Sequence, residues 1–280
     1  MSDGPAPRPG PPRLGLVGRG RAATTLAPRL SRLGLAPQWW WSRGEPGGPD
    51  GLPTVDVVLL AVPDAAIPGA ARALSKRPGA ATEIWLHLAG SQPPDLGRVD
   101  LETPRAAGLF HPLAALPGPG APADLLDGAT AGLAGDPAAV AVGRRLADAL
   151  GMRPLVLNPA TQPLYHAAGV TMAGHLTALL AQATAMLAGC GLSPQDARRA
   201  LGPLALGALK NLEDASPNEA ITGPITRGDV ATVRGHLASL EALDPNLSLT
   251  YRALARTALE LSRAKLAPAD VDALAELLRP

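Results

Sequence analysis

The chain has 280 residues, of which 46% are hydrophobic, 18% charged and 2% aromatic, with a formal net charge of +1 and one cysteine. This length predicts two domains rather than one, with a core built mainly of Ala, Leu and Val. The balanced charge and scarce aromatics exclude the basic, stacking surface of a nucleic-acid binder. A lone cysteine excludes an intrachain disulfide and a multi-cysteine metal site.

Residues 1–12 are rich in Pro and Gly, which predicts a disordered tail without the apolar segment of a signal peptide. The longest apolar stretches are interrupted, so no membrane span and a cytoplasmic location are expected.

The first ordered element is a predicted strand over Leu14–Val17, followed by a Gly-rich turn and a helix over Ala22–Leu33 capped by Gly34. A second strand covers Gln38–Trp41. Asp56–Val62 is apolar at successive positions, as in a parallel strand covered on both faces. A helix over Asp64–Ser75 and a strand over Glu83–Leu88 follow. Further β-like segments at Ala107–Phe110, Thr130–Leu133 and Pro154–Leu157 flank a helix over Pro137–Leu150. The alternation implies a parallel sheet with helices on both faces. After about Asn158 the pattern is helical: Ala160–Gly189, Pro194–Leu212, Asp229–Ala242, Tyr251–Ala264 and Pro268–Leu278. The expected domains are 13–157, α/β, and 158–280, all-α.

The turn reads Gly18-Arg19-Gly20-Arg21-Ala22-Ala23 between strand and helix. Gly18 permits a tight turn, Gly20 lets the backbone approach a pyrophosphate, and Ala23 allows close helix–strand packing, with helix amides facing the phosphates. This is the fingerprint of a Rossmann-type dinucleotide domain. Ser42-Arg43 ends the second strand where an NAD-binding domain would place an acid, which favours the 2′-phosphate of NADP(H). Arg19 and Arg21 add positive charge, and a solvated-loop role for Arg43 stays open. Ala61-Val62-Pro63 and Ala89-Gly90 fall at strand ends facing the ligand crevice, and Ser91 follows as a hydrogen-bonding group.

Six motifs occur in order: Gly18-Arg19-Gly20-Arg21, Ala61-Val62-Pro63-Asp64, His87-Leu88-Ala89-Gly90, Phe110-His111-Pro112-Leu113, Leu164-Tyr165-His166-Ala167-Ala168 and Thr222 through Asp229. Together they resemble the bacterial Rossmann-like proteins with a DUF2520 C-terminal domain, over Leu14 to about Ser262. That group is similar to pyrroline-5-carboxylate reductases, ketopantoate reductases and 6-phosphogluconate or β-hydroxyacid dehydrogenases. The resemblance implies an NADP-dependent oxidoreductase for a small carbonyl, imine or hydroxy acid, with its site between the domains and a helical domain that forms a homodimer. Two departures stand out. Ala173-Gly174 replace the group's Ser-Asn pair, and the Lys and Asn of β-hydroxyacid dehydrogenases would fall near Val170 and Gly174.

Hydride transfer to a carbonyl or imine needs a nearby proton donor. His111 and His166, with Ser91, are the catalytic candidates; His175, Thr222 and Arg227 are the substrate-binding candidates. Each has a structural alternative: His111 could fix its loop, His166 could pack at a helix start, and Asp229 could make the Thr222–Asp229 segment a capped turn. No carboxylate cluster joins the histidines, so no metal is expected. Two further functions remain: a non-catalytic NADP-binding sensor or assembly protein, and an S-adenosylmethionine methyltransferase, which would want an acid near Ser42.

Overall fold

The computed structural model describes residues 12–45 and 48–279. All of the expected tail except Pro12 lies outside the described residues. The chain forms two compact units that divide at Ala173/Gly174.

The first unit is built on a seven-stranded sheet of order β2-β1-β3-β4-β5-β6-β7. Its strands are β1 (Leu14–Val17), β2 (Trp39–Trp41), β3 (Val57–Leu60), β4 (Ile84–His87), β5 (Ala106–Leu113), β6 (Thr130–Gly135) and β7 (Arg153–Val156). The strands β2, β1, β3, β4 and β5 run parallel. Every residue of β1, β3 and β4 is buried, as continuous apolar runs in a two-sided sheet require. The expected all-parallel pairing fails at one place: β5 and β6 are antiparallel. A loop over residues 114–129 reverses the chain there without a crossover helix, whereas the parallel β6–β7 pair is spanned by α3 (Pro137–Ala149).

Helix α1 (Arg21–Arg32) buries Ala23, Leu26, Ala27 and Leu30, which join Leu14, Leu16, Phe110 and Leu133 in the core on one sheet face. On the other face, α2 (Ile67–Leu74) buries Ile67, Ala71 and Leu74 against Val58, Leu60 and Trp85. The predicted helix from Asp64 begins instead with a 3₁₀ turn, Asp64–Ala66. Within this interior Arg77 and Glu83 form a fully buried ion pair at 2.6 Å, and Glu83 also accepts from Trp85 Nε1 at 2.9 Å.

The unit closes with α4 (Gln162–Val170), which runs into a π turn, Thr171–His175. The second unit comprises α5 (Leu176–Gly189), α6 (Pro194–Asn211), α7 (Pro217–Ala220), α8 (Val230–Leu243), α9 (Pro245–Ser262) and α10 (Pro268–Leu277). Val233, Leu237, Leu259 and Leu274 make its core. Asp229 caps α8, accepting from Thr232 N at 3.0 Å and from Thr232 Oγ1 at 2.6 Å. Residues Gln162–Gly189 form a helical run of 28 residues with mean hydropathy 1.3, long and apolar enough to cross a membrane, although no span was expected from the sequence. Only 6% of its most apolar stretch is buried.

Candidate functional site

The chain leaves β1 toward β2 on one side and returns to β3 on the other, so the carboxyl ends of β1 and β3 flank a topological switch point. Gly18 sits there with φ +104°. A Cβ on it would lie 2.3 Å from the Ala61 carbonyl oxygen and 3.0 Å from Val62 Cγ1. Only glycine allows this approach of the turn to Ala61-Val62. The Gly18 amide donates to the Trp41 carbonyl at 2.8 Å, which ties the turn to β2 as well.

Gly20 is different. It is the N-cap of α1, has ordinary extended backbone with φ −73°, and nothing lies within 4 Å of a Cβ built there. No side chain caps α1 and no acid occupies its first turn. An uncapped 12-residue helix thus starts beside open space at Gly20, an arrangement that suits an anion. Arg21 and Ala22 are the first two residues of that helix, and the loop after β5 is fastened beside them by the Gly118 amide donating to Thr25 Oγ1 at 3.0 Å. At the end of β2, Ser42 is half-buried and Arg43 exposed; neither side chain has a hydrogen-bond partner among the described residues. Pro63 opens the 3₁₀ turn after β3.

The end of β4 is fixed from below. His87 Nδ1 accepts from the Ala89 amide at 3.3 Å, so its Nε2–H donates to the Pro93 carbonyl at 2.9 Å. Burial lowers its pKa and keeps it neutral. Gly90 follows, and a Cβ on it would lie 2.7 Å from His111 Nε2; the imidazole of His111 rests directly on this backbone. The carbonyl of Gly90 accepts from Gln162 Nε2 at 3.1 Å, and that of Gln92 accepts from the same nitrogen at 2.6 Å. Gln162 is 4% exposed. It was not singled out in the sequence, where an amide beside Pro163 carries no signal; its role exists only because α4 reaches the β4 end.

Tyr165 stands one turn after Gln162 and faces His111. Its hydroxyl is 3.0 Å from His111 Nδ1 and donates to the His111 carbonyl at 3.2 Å. A Cβ on Gly132, the β6 partner of His111, would lie 2.6 Å from that hydroxyl, so glycine there makes room for it. His166 completes the group, its ring centroid 6.0 Å from that of His111. Burial, with His166 nearby, pushes His111 down from 6.5 to about 4. Burial pushes the Tyr165 hydroxyl up to about 12. Both are therefore neutral at physiological pH.

Of the three catalytic candidates, His111 and His166 come together, and Tyr165 joins them. Ser91 is drawn elsewhere: its hydroxyl donates to Asp64 Oδ2 at 3.1 Å, and Gln92 Nε2 donates to the same carboxylate at 3.3 Å. His175, Thr222 and Arg227 lie exposed in the second unit, His175 closing the π turn and Arg227 the 3₁₀ turn Ile225–Arg227. Among the described residues, no group of three His, Cys, Asp or Glu side chains could hold a metal ion.

No curated protein matches the chain. Solved structures do resemble it. A Bacteroides fragilis protein provisionally named an NADP oxidoreductase is 20% identical, covers 89% of this chain and 98% of its own, and gives a TM-score of 0.73. A Plasmodium falciparum pyrroline carboxylate reductase with NADP bound is 12% identical, with coverage of 90% and 98% and a TM-score of 0.60. An Aspergillus terreus reductive aminase in complex with NADPH and ethyl-5-oxohexanoate is 18% identical, with coverage of 96% and 99% and a TM-score of 0.59. At these identities the likeness establishes the fold. Residues 129–258 match the family described as "Domain of unknown function (DUF2520)". Residues 129–258 thus resemble the DUF2520 family, and the sheet has the strand order of a Rossmann-like fold.

Proposed function

We propose that this protein is an NADP(H)-dependent oxidoreductase acting on a small carbonyl, imine or hydroxy acid. The observation that carries the reading is the pairing of two features at one sheet edge. Gly18 is pinched against Ala61 beside open space over Gly20, and a neutral His111–Tyr165 pair rests on Gly90. The NADP(H) likeness of the structural neighbours agrees with it.

Bound NADPH would supply a hydride to a carbonyl or imine carbon, and the oxygen or nitrogen would take a proton. The turn at Gly18–Ala22 and the α1 amides would hold the pyrophosphate, Arg19 and Ser42-Arg43 the 2′-phosphate, and Ala61, Val62, Pro63, Ala89 and Gly90 the nicotinamide half. His111, neutral down to about pH 4, acts as a hydrogen-bonding group rather than as an imidazolium acid. The single proton of the Tyr165 hydroxyl sets its tautomer. Turned to Nδ1, it leaves Nε2–H as a donor toward the Gly90 side, where it can stabilise a developing oxyanion. Turned to the His111 carbonyl, it lets Nδ1–H donate and leaves Nε2 an acceptor. Full transfer from this pair would leave an anion on a group such as Tyr165, with its pKa about 12. The net proton therefore comes from solvent by way of the half-exposed His166. His175, Thr222 and Arg227 remain the substrate-binding candidates of the helical unit.

The same reading includes a homodimer through the helical unit. Leu204 and Leu206 on α6 are 70% and 68% exposed. The long apolar run also holds Gln182, bonded to Thr250 Oγ1 at 3.0 Å. An apolar surface with internally satisfied polar groups suits cover by protein. The second function, NADP binding without turnover, is favoured by Val170 and Gly174, which lack the Lys and Asn side chains of β-hydroxyacid dehydrogenases.

The test is a titration with NADPH followed by NADPH oxidation across keto acids, cyclic imines and hydroxy acids. Saturable binding with turnover on one class, abolished in His111→Phe, is expected. Absence of NADPH binding would sink both readings; binding with no turnover in any class would favour the second.

A further inference from the structure

Arg19, next to Gly18 in the turn, is already engaged. Its Cζ lies 4.3 Å from the centroid of the Trp40 ring, and its Nη2 donates to the Trp40 carbonyl at 2.8 Å. Nε and Nη2 both reach Glu45 Oε1, at 3.1 and 3.0 Å. Trp40 is itself held, because its indole N–H donates to the Gly18 carbonyl. Glu45 is set by a turn after β2 in which its amide donates to the Ser42 carbonyl at 3.2 Å. The two charged side chains are 48% and 36% exposed, so a solute can reach the pair. Among the described residues, Arg19 Nη1 has no protein acceptor.

We infer that Glu45 is a built-in counter-anion, occupying on Arg19 the seat that a 2′-phosphate would take, and that it limits the preference for NADPH over NADH. The inference rests on the dinucleotide reading above. A carboxylate and a phosphate compete for the same edge of a guanidinium, because both match its planar fork. The Trp40 ring and carbonyl fix the orientation of Arg19, so the edge held by Glu45 is not freely exchanged for another. An arriving 2′-phosphate must displace Glu45 or share the cation with it against like-charge repulsion. NADH, which ends in a hydroxyl there, contests neither.

The experiment compares wild type and Glu45→Gln in titrations with NADPH and NADH, with thermal unfolding to show that the fold is retained. The amide keeps the shape and removes the charge. NADPH affinity is expected to rise about three- to fivefold, the scale of an exposed ion pair, with NADH changed less than about twofold. The gain is expected to shrink at high salt. An unchanged NADPH-to-NADH ratio overturns the inference while leaving the dinucleotide reading intact. Weaker NADH binding in the variant also overturns it and assigns Glu45 to the ribose hydroxyls. Failure of wild type to bind either nucleotide overturns the dinucleotide reading and this inference with it.

Discussion

The first unit and the front of the second differ in what they do with apolar residues. In the sheet unit, β1, β3 and β4 are wholly buried, and helices on both faces contribute their apolar stripes. In the helical unit, α8, α9 and α10 behave the same way around Val233, Leu259 and Leu274. Helices α5 and α6 do not. Thr184 is the buried residue of α5 and Ala197 that of α6, while Leu204, Leu206 and Leu209 face outward. A sheet covered on both faces completes itself; α5 and α6 carry apolar area that the single chain leaves exposed. The difference separates the covered strands β1, β3 and β4 from helices that leave apolar side chains in the open, although the sheet unit also leaves Leu155, Val156 and Leu164 exposed.

The largest effect should come from breaking the sheet unit at its tightest point. Gly18→Ala puts a Cβ 2.3 Å from the Ala61 oxygen at φ +104°. Backbone strain of about 1–3 kcal/mol is expected in thermal unfolding, with NADPH affinity lost by about a hundredfold, or about 3 kcal/mol. Gly20→Ala sharpens the point, since its Cβ meets nothing. It should cost about 1 kcal/mol or less as a poorer N-cap, yet weaken NADPH about tenfold by filling the space over the turn. Equal losses of stability in the two variants would contradict the distinction.

Next comes the exposed apolar surface. Leu204→Asp with Leu206→Asp should convert a dimer into a monomer at micromolar concentration, read by light scattering. Each buried Leu is worth about 1.5–3 kcal/mol, so the pair should weaken association more than about a hundredfold. A wild type that is monomeric under the same conditions would break the comparison at its root. Tyr165→Phe is a smaller change within the sheet unit. It should cost about 0.5–1.5 kcal/mol for the lost hydrogen bond and lower kcat about tenfold, with NADPH affinity unchanged. An unaltered kcat would remove Tyr165 from the chemistry.

A further effect is in acid. His111 is held near 4 in the fold against 6.5 when unfolded, and His87 is lowered as well. Between those values the unfolded chain binds more protons, so stability is fullest above 6.5 and falls as pH drops toward 4. Urea midpoints at pH 7 and 4.5 should differ by less in His111→Asn than in wild type. An equal difference in the two proteins would show that His111 does not titrate as a buried neutral group.

Much of the sheet unit was legible because its signals are local. The strand–turn–helix at Gly18 and the apolar run that contains β3 need no distant partner to be recognised. The antiparallel β5–β6 pair was not legible, since periodicity gives a strand but not its direction, and the connection is too long for a hairpin signature. The π turn at Thr171–His175 is likewise invisible in a helix-forming sequence. At the site, the sequence names His111 and His166 as candidates by their chemistry, and the fold brings their ring centroids within 6.0 Å of each other. The hold of Gln162 on Gly90 and of Glu45 on Arg19 depends on residues far apart in sequence. The hydrogen bond of Ser91 to Asp64, 27 residues away, is likewise invisible in the sequence.

The stacking of Arg19 on Trp40 also has an optical consequence. All four tryptophans, Trp39, Trp40, Trp41 and Trp85, belong to the sheet unit, and the helical unit has none. Indole emission is thus a signal from one half of the molecule. A ligand entering beside Gly18 would disturb Trp40 at once, whereas α5 and α6 contribute no indole of their own to that signal.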